Sequence, residues 1–475
     1  MLLITRRTGK AKVVKFLVWI AWITLLPCCA QAQVNINYAE GLVAYDRHEY
    51  TAALEWLKKA CGEGNVKAML LVANIYGAGL GVPKDSVVYA NYLNDAAAAG
   101  DPTAMVALGR MMLNGTAIRK NTSRALELFN QAAKMGYGYA MYTLAHEYEY
   151  STNIPRDSAL SLYWYNKSID AGNTMAMFIL GAKYLRGTRV QQDTVKGLGL
   201  LIKAADHNYT PAMYELGYMY DNGKYVPKDS VPALKWYTRG AEAGDANAQN
   251  NLGVKYEKGR WVAKDYATAL MWFQKSASAG NAYGMFSLAE MYQFGRGVPR
   301  DDSIALQWYR KAFAGGNKSG AYGIAFFYEH GRAGLPRDDA AALEWYRKCG
   351  HPGAMQHIGL LYEQGRGVAA NIDEAAKWYR KAADADNGFG MYYLGRLQKG
   401  TALANEWYRK AIEWFTKDIA HALDDTESMR GFASMYENGY GVKKNIPAAL
   451  ALYRQAAAWG DEDARIKLAE LSAAR

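Results

Sequence analysis

A block of about 36 residues recurs along nearly the whole chain, and this period limits the possible folds before any single residue is considered. The clearest copy is 281–316, NAYGMFSLAEMYQFGRGVPRDDSIALQWYRKAFAGG. Copies open at Asn65, Asp101, Tyr137, Asn173, Tyr209, Asp245, Asn281 and Asn317, each 36 residues after the last. The next openings are His351, Asn387, Asp425 and Asp461, so the steps become 34, 36, 38 and 36. Ala-Met holds its register at Ala68-Met69, Ala104-Met105, Ala140-Met141, Ala176-Met177 and Ala212-Met213. Short copies of this kind cannot each bury an apolar face alone, so they must stack on one another.

Each copy reads as two helices. Met285, Leu288, Ala289 and Tyr292 fall at offsets 4, 7, 8 and 11 from the opening residue, which is one helical face. Gly295, Gly297 and Pro299 then stop the helix. Asp301 or Asp302 is placed to cap a second helix that runs through Ile304 and Trp308 to Ala312 and ends at Gly315-Gly316. Small residues (Ala289, Ala305, Ala312) allow close approach, and Tyr292, Trp308 and Tyr309 fill the space between copies. Tyrosine closes the first helix at Tyr76, Tyr148, Tyr184, Tyr220, Tyr256, Tyr292, Tyr328, Tyr362 and Tyr436. The second helix carries Trp164-Tyr165, Trp236-Tyr237, Trp272-Phe273, Trp308-Tyr309, Trp345-Tyr346, Trp378-Tyr379 and Trp407-Tyr408. These columns read as core.

The pattern resembles the Sel-1-like repeat family, a relative of the tetratricopeptide repeat. Ala354, Gly359, Tyr362, Gly365-Arg366-Gly367-Val368, Asp373, Trp378-Tyr379 and Ala382-Ala383 carry the resemblance most closely. It implies an all-α fold, a right-handed superhelical α/α solenoid of about twelve hairpins. It also implies adaptor or scaffold work, often at bacterial envelopes or in signalling. One cysteine-rich branch of that family is linked to β-lactam binding or hydrolysis. Its paired cysteines within each repeat are missing here, so that activity is not carried over.

The expected organisation has four parts. Residues 1–32 read as an export signal: Arg6, Arg7, Lys10, Lys12 and Lys15 precede the apolar run Phe16–Leu26, and Ala30-Gln31-Ala32 suits cleavage before Gln33. An uncleaved anchor is the alternative. Residues 33–64 form an N-terminal hairpin, residues 65–460 the tandem repeats, and residues 461–475 a capping helix in which Ile466 and Leu468–Leu471 cover the last repeat. The array is irregular at 349–353, where the corner is short and contains Pro352, and at 387–424, where Lys399-Gly400-Thr401 replaces the usual loop. The expected location is the periplasm or the extracellular space, with no stable membrane span once the signal is removed.

Charge and cysteine content narrow the function. The formal charge is +11, and removing the five positives of residues 1–32 leaves +6 for the rest, dispersed and often beside an aspartate. That is a mixed-charge surface, not a nucleic-acid footprint. Beyond the signal only Cys61 and Cys349 remain, many repeats apart and out of disulfide reach in a stacked array. No catalytic or metal residues and no cofactor are expected. His146-Glu147 lacks the second histidine of a zinc motif, and the seven histidines are not at ligand spacings. Gly77-Ala78-Gly79-Leu80-Gly81 follows a helix and reads as the ordinary inter-helix turn. The carboxylates at offset 12 (Glu149, Asp221, Glu257, Glu329, Glu363, Glu437) read as solvated groups, or else as a row facing a cationic partner.

In the related tetratricopeptide repeat, first helices line the concave groove. Offset 5 here reads Leu70, Val106, Tyr142, Phe178, Tyr214, Asn250, Phe286, Tyr322, Gln356, Tyr392 and Arg430, and offset 9 adds Arg110, His146, Tyr218, Glu290, Phe326 and Arg396. The candidate partner-binding residues are therefore Tyr142, Phe178, Tyr214, Tyr218, Phe286, Tyr322, Phe326 and Tyr392. An aromatic ladder suits a protein or peptide ligand, or alternatively a glycan such as peptidoglycan. The competing reading is that these rings only pack between first helices, and full burial of Tyr214 and Tyr322 would establish it. A cell-wall or β-lactam hydrolase is a third, lesser reading that lacks a nucleophile and base.

Overall fold

The computed structural model describes residues 36–421 and 426–473; the proposed signal at 1–32 lies outside them. The described residues form twenty-five helices and no strand. They pair into hairpins of a first and a second helix, most of 13 residues, from Ile36–Asp46 with Tyr50–Gly62 to Thr426–Asn438 with Ile446–Ala458, followed by Glu462–Ala473. They divide into two compact units, one up to Asn173 and one from Thr174 on.

Local chemistry accounts for the helix ends. First helices open where Asn65, Asp101, Asp245, Asn281 and Asn387 accept from backbone N–H groups, at 2.7 Å for Asp101 and Ala104 N. Second helices open under Asp85, Asp157, Asp229, Asp265 and their counterparts. In the 281 repeat the cap is Asp301, which accepts from the N–H groups of Ser303 and Ile304, each at 2.9 Å. Asp302 instead accepts two bonds of 2.7 Å from Arg332 of the next repeat. The loop glycines have a packing reason. Gly297 has φ 71°, and a Cβ there would lie 2.8 Å from the Tyr266 carbonyl oxygen of the preceding repeat.

Packing follows the columns. In the first unit one core cluster runs through three hairpins, from Ala73 through Leu108 and Phe129 to Leu144 and Ile154. In the second unit Tyr309 packs against Ile324 and Phe327 of the following repeat. The second ring of each Trp-aromatic pair is the core member: Tyr165, Tyr237, Phe273, Tyr346 and Tyr379 are fully buried. The indoles are less uniform. Trp236 and Trp272 are buried, but Trp308, Trp345 and Trp378 are half-buried. A lysine one turn on covers each of these three, with Lys311, Lys348 and Lys381 Nζ at 4.1–4.2 Å from the ring centres.

The irregular segments are accommodated locally. At 349–353 one helix ends at Gly350 in the left-handed conformation, and His351 Nδ1 caps the next by accepting from Gly353 N at 3.1 Å. Cys349, Ala354 and Ile358 share one core cluster across this corner. In the 387 repeat the first helix is short, Gly388–Leu397, and the second is long, Ala402–His421. At the C-terminus Ala464, Leu468 and Leu471 cover the last hairpin. Ile466, expected to join them, is 51% exposed, because it falls on the opposite side of that helix. Cys61 and Cys349 are free thiols.

Candidate functional site

Curvature within each unit decides which face is recessed. Several neighbouring first helices meet directly, as Pro102–Asn114 does Gly138–Tyr150 and Ala246–Lys258 does Ala282–Phe294, whereas neighbouring second helices make no comparable contact. First helices therefore line the inner side. Residues at offsets 5 and 9 that are not needed for hairpin packing face this side. So do offsets 2 and 13, since 2, 5, 9 and 13 form one helical stripe.

The sequence-derived residues fall into three groups. Tyr142, Tyr214, Phe286 and Tyr322 are half-buried, each resting one edge on the core ring of its own second helix. The ring centres lie 6.1 Å (Tyr165), 6.4 Å (Tyr237), 5.5 Å (Tyr309) and 5.5 Å (Tyr346) apart. Tyr214 and Tyr322 are thus not fully enclosed. Phe178 and Phe326 are also half-buried, against Tyr209 and His330 respectively. Tyr218 is exposed at 37%. Tyr392 departs from expectation: it is buried, with its hydroxyl 3.1 Å from Ser434 Oγ and its ring beside Tyr440, so it offers no face to a partner. Both covering groups belong to the next repeat, beyond the irregular 387 hairpin. Gln356 is likewise buried, and its Nε2 donates to Glu427 Oε1 at 3.0 Å, two repeats on.

The structure adds residues that offsets 5 and 9 alone missed. In the first unit Tyr137, Tyr139, Tyr142, His146 and Tyr150 form a continuous run of rings along Gly138–Tyr150, with successive centres 6.2, 5.8, 6.2 and 4.9 Å apart. Arg110 of the preceding repeat donates to Tyr139 Oη at 2.9 Å and lies over that ring. Tyr150 is 44% exposed. In the second unit the helix Ala282–Phe294 presents Tyr283, Phe286, Glu290 and Phe294. The signal was available: spacings of 3, 4 and 4 around offset 5 pick out Tyr139, Tyr150, Tyr283 and Phe294.

The offset-12 carboxylates are not solvated, which corrects the sequence reading. Each sits at the mouth of its hairpin, and where the second helix carries a core tyrosine its hydroxyl reaches the acid. Tyr237 donates to Asp221 at 3.3 Å, Tyr346 to Glu329 at 2.8 Å, Tyr379 to Glu363 at 2.6 Å and Tyr453 to Glu437 at 2.8 Å. A cation from the next repeat often closes the arrangement, as Lys255 does with Asp221 at 2.6 Å and Arg366 with Glu329 at 3.1 Å. Where the second helix has Phe273 and no hydroxyl, Glu257 turns to Arg296 at 2.7 Å. Burial raises Glu329, but the hydrogen bond and charge of His357, with Tyr346, outweigh it and hold the carboxyl down at about 2. Asp221, Glu257, Glu329 and Glu363 thereby join one repeat to the next, and Glu437 braces its own hairpin.

Among the described residues, no group of three His, Cys, Asp or Glu side chains is placed to hold a metal ion. No described helix is long and apolar enough to cross a membrane.

The described residues define an α/α repeat protein built of two-helix hairpins in tandem. The chain belongs to the Sel1 repeat family, whose model matches twelve consecutive segments from 32–65 to 426–461. It is similar to a protective antigen of uropathogenic Escherichia coli with an SLR fold, at 30% identity over 80% of this chain and 82% of that one, with TM-score 0.55. A Sel1 repeat protein of Oxalobacter formigenes matches at 25% identity over 76% and 93%, with TM-score 0.43. Proteins of this family are generally protein-interaction scaffolds.

Proposed function

We propose that this protein is an exported scaffold that holds a partner protein on the inner face of its first helices and so assembles or regulates a cell-envelope complex. The reading rests chiefly on the aromatic stripes of the first helices: within each unit, rings recur at offsets 2, 5, 9 and 13, and several are more exposed than packing requires. Tyr150, Tyr218, Tyr283 and Phe294 are 44, 37, 64 and 54% exposed. Such rings supply large contact area at low entropy cost. The basic and apolar character of residues 1–32 supports export.

The test is affinity capture from an envelope extract with the wild-type chain and with a Tyr150→Ala/Tyr218→Ala/Tyr283→Ala/Phe294→Ala variant. These four positions are chosen because the half-buried rings beneath them would confound binding with folding. A protein retained by the wild type and lost with the variant is expected. Retention of wall polysaccharide without protein would replace the scaffold reading with glycan binding. Identical captures by both forms would remove the stripe from the function.

A further inference from the structure

One inner helix carries an acid that the repeat architecture does not use. Glu290 lies on Ala282–Phe294 at offset 9, half-buried, with Phe286 one turn below it and Phe294 one turn above. Its carboxyl has no hydrogen bond or ion pair among the described residues. The arginine in range, Arg296, is engaged by Glu257 at 2.7 Å and lies 4.9 Å from the Phe294 ring centre. Burial first, and then the charge of Glu257, push Glu290 up to about 7, against the pull of Arg296 and Lys258. A carboxylate held in such surroundings without a partner gains from any cation brought to it.

The flanking rings define what that cation is attached to. Tyr283 and Phe294 are 64% and 54% exposed on the same stripe as Glu290. They lie roughly 10 Å and 6 Å along the helix axis from it, by the 1.5 Å rise per residue. Their faces suit the aliphatic stem of a long side chain and its apolar neighbours. Phe286 is braced on Tyr309 at 5.5 Å, so the floor between them is fixed.

We infer that Glu290, between Tyr283 and Phe294, receives a lysine or arginine side chain from an extended peptide segment of the partner protein. The inference rests on the scaffold reading and specifies the partner's chemistry. Glu290 supplies the charge, Phe294 one turn on packs against the stem, Tyr283 two turns back takes an apolar neighbour of the basic residue, and the Glu257–Arg296 pair fixes the wall behind.

The test is selection of a random decapeptide library on the purified chain, in parallel with Glu290→Gln and with Tyr283→Ala/Phe294→Ala. Circular dichroism would establish that all three fold alike. The wild type is expected to enrich peptides with Lys or Arg at one fixed position beside an apolar residue. Those peptides, resynthesised, should bind Glu290→Gln at least tenfold more weakly, and replacing the basic residue by norleucine should cost the wild type a similar factor. Enriched peptides without a basic position, or equal binding by Glu290→Gln, would overturn the cation site and leave the peptide groove standing. No enrichment by any form would overturn both.

Discussion

Replacing Glu329 by glutamine tests the joint between repeats at its most heavily used point. Glu329 is 6% exposed and meets Tyr346 Oη at 2.8 Å, His357 Nδ1 at 3.1 Å and Arg366 at 3.1 Å. Its carboxyl falls from an ordinary value near 4.5 to about 2. At 1.36 kcal/mol per unit this corresponds to about 3 kcal/mol. Exposed pairs such as Arg124–Glu127 are worth only tenths of that. The folded-state value is depressed, so this stabilisation is fully present above about 4.5 and is lost as pH falls toward 2. Urea unfolding followed by far-UV circular dichroism, at pH 7 and in steps from 5 to 3, measures it. Glu329→Gln should lower stability by about 3 kcal/mol at pH 7, and the gap to the wild type should narrow as pH falls from 4.5 to 3. A gap that stays constant across that range would refute the assignment. A variant as stable as the wild type at pH 7 would show that the three contacts contribute nothing net.

Substitutions at three further positions probe the repeat itself. Gly217→Ala would place a Cβ 2.6 Å from Tyr237 Cδ1, so overpacking should cost about 1–3 kcal/mol in urea unfolding. Gly199→Ala meets nothing within 4 Å on an exposed helix position and should stabilise by about 0.5–1 kcal/mol in the same assay. Asp301→Ala removes the cap of Asp302–Ala314 and should cost about 1 kcal/mol, whereas Asp301→Asn should restore most of it.

The fold was legible because the repeat makes every copy restate the same constraint. Trp-Tyr at 378–379 and Gly-x-Gly at 365–367 each imply a neighbour, and the neighbour is another copy. The offset-12 acids were misread because their partner is a tyrosine 16 or 17 residues away, across a hairpin whose two helices must first be paired. Tyr379 with Glu363 and Tyr346 with Glu329 follow from that pairing and not from local sequence. Tyr392 was misassigned for a different reason. The groups that cover it, the Ser434 hydroxyl and the Tyr440 ring, belong to the next repeat and lie 42 and 48 positions on, beyond the reach of a column reading. The stripe itself was half legible. Offsets 5 and 9 alone leave out 2 and 13, although the spacing of 3, 4 and 4 already groups all four on one helical stripe.

The inner stripe, and not the outer helices, is expected to meet the partner. A photo-crosslinking amino acid placed singly at Tyr150 and Tyr283, and at the second-helix positions Val195 and Val231, tests it directly. The second pair is 84 and 74% exposed, so reach and accessibility favour it over Tyr150 and Tyr283 if exposure alone governs capture. Irradiation in intact cells should yield the same partner protein from Tyr150 and Tyr283 and none from Val195 or Val231. Crosslinking from the outer pair and silence from the inner pair would contradict the account.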